Sequence, residues 1–100
     1  MSVKGQLHSC RDSLMAGMRA AERTSNDQGV KILRACLDLV EHLIAASGNV
    51  AVAEVETTLK VLVRAASEVD DKTPATTTLV STIRNAIERL QTVRAEIAAK

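Results

Sequence analysis

An all-α fold, an antiparallel up-down-up-down four-helix bundle, is what this sequence predicts, on three observations. Apolar residues recur at intervals of three and four in four successive segments, the spacing that gathers them on one helix face. Short polar stretches rich in capping residues separate the segments, so consecutive helices must run antiparallel. No Phe, Trp or Tyr occurs among the 100 residues. The core is therefore left to Leu, Ile, Val, Met and Ala, thin side chains that suit close packing between helices.

The first segment, residues 3–23, carries its stripe on Val3, Leu7, Cys10, Leu14, Gly17 and Ala21, with Met18 beside it. Ser2 stands where an N-cap belongs. Gly5 and Gly17 weaken this helix, because a mid-helix glycine costs about 1 kcal/mol against alanine. A three-helix core with a loosely attached first helix is therefore the alternative architecture. "RTSNDQG" ends the segment and offers Ser25, Asn26 or Asp27 as the cap of the next. Segment two, residues 28–47, aligns Val30, Leu33, Leu37, Val40, Ile44 and Ser47. Ile32, Cys36, Leu39 and Leu43 widen that stripe into a broad apolar face, and make this helix the most buried one expected.

"SGN" divides segments two and three, with Gly48 suited to a left-handed C-cap and Asn49 to the following N-cap. Segment three, residues 50–70, aligns Val52, Val55, Leu59, Leu62, Ala66 and Val69. "DDKTPA" follows, and Thr73-Pro74 reads as N-cap then first helical residue, the one helix position that welcomes proline. Segment four, residues 74–98, aligns Leu79, Ile83, Ala86, Leu90, Val93 and Ile97. The β-branched run "TTTLVSTI" makes its start a mediocre helix former. Together the four segments account for residues 1–100 as one helical-bundle domain.

Composition narrows the function classes. The hydrophobic fraction of 46% and charged fraction of 25% are those of an ordinary globular domain. Thirteen basic and 12 acidic residues are interspersed, for a net charge of +1. Nucleic acid is not an expected partner: there is no basic stripe and no aromatic platform for stacking bases. No run approaches the roughly 20 apolar residues of a membrane span. Cys10 and Cys36 form no framework or CxxC motif, which fits reduced thiols and a cytoplasmic setting. Both read as small buried hydrophobes, and a Cys10–Cys36 disulfide is not expected.

His42 is the residue that most invites a chemical reading. Set on the helical wheel of segment two, it points about 160° away from the apolar centre. It is thus an exposed imidazole among Arg34, Asp38, Glu41 and the small Ala35, Ala45 and Ala46. An exposed histidine on the second helix, followed by "LIAASGNVAV", resembles histidine-phosphotransfer domains, which are four-helix bundles of this size. The resemblance covers about a dozen residues and implies His42 as phosphoacceptor. It departs where that family has lysine and glycine, three and four residues after the histidine; Ala45 and Ala46 stand there instead. Asp38, one turn earlier, would oppose a phosphoryl charge. The competing reading is a solvated surface histidine loosely paired with Asp38.

Other chemistry has weaker support. His8 and Cys10, two residues apart, diverge on a helix, and zinc needs about four converging ligands. No G-x-S-x-G or glycine-rich phosphate loop occurs, and Glu54/Glu56 and Asp70/Asp71 read as solvating charge. The expectation is a non-enzymatic protein without metal, cofactor or small-molecule substrate.

What remains is recognition through helix surfaces. Segment two has more apolar residues than one seam needs, and a broad apolar helix face can dock in a partner's groove or accept a partner's helix. The spacing Ile32, Leu33, Cys36, Leu37, Val40, Leu43, Ile44 is also similar to the helices that talin-type rod bundles offer to vinculin, a pattern shared by most doubly striped core helices. The sequence reading is thus an interaction module, adaptor or assembly subunit that binds another protein or itself. Its contact residues are Ile32, Cys36, Leu39 and Leu43, provided they prove exposed. A purely structural spacer bundle is the third reading.

Overall fold

The computed structural model describes residues 3–46, 50–69 and 74–99. Four helices make up the fold: α1 Val3–Arg23, α2 Asp27–Ala45, α3 Val52–Glu68 and α4 Pro74–Ala98. No strand occurs among the described residues. The first and last helices have the bounds read from the sequence; α2 and α3 are each slightly shorter. The helices form a compact bundle 41 × 20 × 19 Å.

Each stripe supplies the core. Leu7, Cys10 and Leu14 from α1 meet Leu33, Leu37 and Val40 from α2, Val55, Leu59 and Leu62 from α3, and Ile83, Ala86, Leu90 and Val93 from α4. Burying a leucine or isoleucine side chain contributes roughly 1.5–3 kcal/mol, and this shared interior holds the four rods together. The loosely attached first helix is not what forms. α1 packs extensively against both α4 and α2, α3 packs against α4, and α2 and α3 touch far less. α2 leans on α1 far more than on α3.

The α1–α2 turn shows how local chemistry sets this hairpin. α1 ends with Thr24 and Ser25, whose backbone amides donate to Ala20 and Glu22 carbonyls. Ser25 adopts φ 57°, the left-handed region that reverses the chain. Of the three candidate caps, Asn26 takes the role: its Oδ1 accepts from the Gly29 amide at 3.0 Å. The capping roles assigned to Ser2, Gly48, Asn49 and Thr73 lie outside the described residues.

Gly17 is the reason α1 and α4 approach so closely. A Cβ there would lie 2.6 Å from Thr82 Cγ2 and 3.0 Å from Thr82 Oγ1. Thr82 cannot simply turn aside, because its hydroxyl donates to the Thr78 carbonyl at 3.0 Å. Gly17→Ala should therefore destabilise the fold by about 1 kcal/mol, since overpacking of about 1–3 kcal/mol outweighs the gain in helix propensity. In a Thr82→Ala background the contacts with Cγ2 and Oγ1 are gone and only that with the residue-82 Cβ, at 3.2 Å, remains, so the cost of the same change should shrink. Urea denaturation of the four proteins checks this; equal effects in both backgrounds would refute the contact.

Candidate functional site

The four flank residues of α2 separate once the fold is formed. Cys36 and Leu43 are each 1% exposed and belong to the core. The exposure on which their role as contact residues depended is therefore not met for these two. The physical reason is width: at 3.6 residues per turn they sit only about 60° from the stripe's centre, within the arc that three neighbouring helices cover. Ile32 is half-buried and packs against the core edge, and Leu39 is half-buried as well. Only these two retain surface.

The side of α2 on which they lie is the α3 side. Ile32, with Gln28 and Gly29, lines a hollow completed by Glu68 and Val69 at the end of α3 and by Leu79. Seven residues on from Ile32, Leu39 falls on nearly the same meridian. From α3, two aliphatic side chains stand out into solvent: Val61 at 39% and Val63 at 53% exposure. Val63 lines the outer α3–α4 groove beside Lys60, Gln91 and Arg94. Val61, about 200° around the helix from it, therefore looks toward the α2 side. Sequence reasoning missed both valines. The signal was present in "KVLVR", where two aliphatic residues fall outside the stripe through Leu59 and Leu62.

The sparsely packed α2–α3 seam thus carries an uncharged strip. Ile32, Ala35 and Leu39 border it on α2, and Thr57, Val61 and Ala65 on α3. Ala35 and Thr57 are exposed and Ala65 half-buried. Polar residues stand at its two ends. Exposed Lys31 and Glu68 lie at the end marked by the Ile32 hollow, and exposed His42 and Glu54 lie toward the α2–α3 connection. Glu68 also accepts from Arg64 Nε at 3.0 Å, an exposed pair spaced by one turn.

His42 is exposed, and Asp38, one turn before it, is exposed too. Neither side chain makes an ion pair among the described residues, so their loose pairing is not formed. The His42 carbonyl accepts the Ala46 amide at 3.1 Å, which closes the helix end. Cys10 and Cys36 are free and buried. Burial pushes the Cys10 thiol up to about 12, against the opposing pull of Arg89, and the Cys36 thiol up to about 11. A nucleophile needs the thiolate, so neither is one at neutral pH. Among the described residues no three His, Cys, Asp or Glu side chains come together as metal ligands, and no helix is long and apolar enough to cross a membrane. No family model, curated protein or solved structure matches the chain.

Proposed function

We propose that this protein is an assembly or adaptor module that binds another protein surface through its α2–α3 face, without catalysis. The observation that supports the reading is the exposed Val61 beside half-buried Ile32 and Leu39, at the seam where two adjacent helices pack least. Aliphatic surface left half-covered along a seam is gained back when a second surface closes over it, at about 25 cal/mol per Å². With no aromatic anchor, affinity must come from this aliphatic strip, while flanking charges select register.

The test uses the folded protein as immobilised bait in a cell extract. Wild type should retain a protein, whether another copy of this chain or a different one. Val61→Lys should lose it, and Val63→Lys on the opposite flank of α3 should keep it. Both valines are exposed, so neither variant disturbs the core. Equal retention by the two lysine variants would remove the α2–α3 face as the binding surface.

A further inference from the structure

Among the described residues the sulfur-bearing side chains are of two kinds. Cys10 and Cys36 are 0% and 1% exposed. Met15 and Met18, neighbours on successive turns of α1, are half-buried and pack against the edge of the core. The two kinds also differ in what oxidation requires. A thiol reacts as its thiolate, and burial that pushes Cys10 up to about 12 and Cys36 up to about 11 suppresses that form. A thioether has no proton to lose, so access governs its reaction with a peroxide.

We propose that Met15 and Met18 are an oxidation site, converted to sulfoxides by hydrogen peroxide in the folded protein, and that the added oxygens loosen the α1–α2 hairpin and release Cys10 and Cys36 to solvent. In the step itself a methionine sulfur attacks one peroxide oxygen. The S–O bond forms as the O–O bond breaks, and the departing hydroxide takes the remaining proton and leaves as water. Sulfur loses two electrons and the peroxide gains them. The site is independent of the α2–α3 face.

The placement of the two methionines gives the step its consequence. Gly17 and Ala20 turn toward α4, where they line a hollow with Thr78 and Thr82. Met18 and Met15 lie about 100° and 160° round the helix from Gly17, on the side away from Ala20. α1 packs against α4 and α2, so the core contacts of both methionines fall on the α2 side. α2 in turn relies mainly on α1. Methionine suits such an edge because its flexible, apolar chain fills irregular gaps. A sulfoxide is polar and chiral, and it disrupts the packing that the thioether made. Local opening of the hairpin then becomes more frequent, and the thiols it covers react in proportion to that opening.

Hydrogen peroxide added to the purified full chain at neutral pH, followed by tryptic mapping, tests the site. Cleavage after Arg11 and Arg19 puts both methionines on one peptide, residues 12–19, apart from Met1, Cys10 and Cys36. That peptide should gain two oxygens while both cysteines still titrate as thiols in urea. The oxidised protein should then react with a water-soluble disulfide reagent about tenfold faster than before, a change of about 1.4 kcal/mol in the opening equilibrium. Methionine sulfoxide reductases of both stereochemical classes should restore the slow rate. Met15→Leu/Met18→Leu conserves volume and folds, and its thiol rate should not respond to the same peroxide treatment. Peptide 12–19 left unmodified, or thiols consumed before it, overturns the assignment of the site. An oxidised protein with an unchanged thiol rate overturns the loosening, as does a leucine variant that responds like wild type.

Discussion

Leu43→Lys should abolish the folded state at room temperature, whereas Leu39→Lys, four residues earlier on the same helix, should fold with a loss of about 1 kcal/mol. Leu43 is 1% exposed and packs in the core cluster. Its replacement forfeits roughly 2–3 kcal/mol of apolar burial and strands an ammonium among aliphatic side chains, a penalty of several kcal/mol more. A domain this size is stable by about 5–15 kcal/mol, so the sum removes most or all of it. Leu39 is half-buried at the seam's outer edge. A lysine there can lay its stem along the groove and keep its charge in water. Far-ultraviolet circular dichroism and urea titration separate the cases. A Leu43→Lys protein with wild-type helicity and midpoint would mean that the core does not extend to this end of α2.

That contrast also shows how far the sequence could be read. The apolar stripes of all four helices become the core because periodicity is a property of one helix and needs no knowledge of its neighbours. Leu7, Leu14, Leu33, Val40, Val55, Leu62, Ile83 and Leu90 are each 2% exposed or less, and each lies on its stripe. The flank of α2 was not legible in the same way. Whether Cys36 or Leu43 is core or surface depends on how wide an arc adjacent helices cover, which is a relation between helices. Val61 and Val63 lie off the stripe of α3, and their exposure is visible only once α2 and α4 are in place.

The uneven packing has a sequence cause that is legible only in hindsight. A short connection between α2 and α3 argues for adjacency but not for intimacy. Gly17, Ala20 and Ala21 put small residues on the α4-facing side of α1, where they line a hollow with Thr78, Leu79 and Thr82 of α4. Helix axes approach according to the side chains at the crossing, and these let α1 and α4 close up. At the α2–α3 seam the bordering positions are Ile32, Leu39 and Val61, larger side chains that stay partly in solvent. The glycine that weakens α1 as an isolated helix thus lets α4 pack closely on it. The same asymmetry leaves the opposite seam with unused aliphatic surface.

Alkaline pH should unfold the protein more readily than its lysines and arginines alone would cause, and the two thiols are the reason. Burial holds Cys10 up to about 12 and Cys36 up to about 11, from an ordinary 9.0. The sign follows from proton binding. Between pH 9 and 11 an unfolded chain has released both thiol protons while the native chain keeps them. The unfolded state therefore binds fewer protons, and stability falls as pH rises. The contribution is intact below pH 9 and is lost as pH climbs through 11 to about 12. One proton per thiol limits the slope to about 1.4 kcal/mol per pH unit each.

Geometry reinforces this dependence. The Cys10 sulfur sits 3.8 Å from the Ala86 carbonyl, to which its proton is directed. A thiolate there would face a carbonyl oxygen, and the attraction of Arg89 only partly offsets the desolvation. Arg89 has its own constraint, since its Nε is buried with no hydrogen-bond partner among the described residues. The Cys10→Ala/Cys36→Ala protein should start about 1–2 kcal/mol less stable at pH 7, from two small cavities, yet lose less between pH 9 and 11. Guanidinium denaturation at a series of pH values supplies both curves, and their difference cancels the lysines and arginines common to the two proteins. A difference that stays constant with pH would show that the thiols already reach water in the native state. In that case they would also react at neutral pH with a water-soluble disulfide reagent as fast as in the unfolded chain. The buried arrangement instead makes that reaction wait on opening of the α1–α2 hairpin.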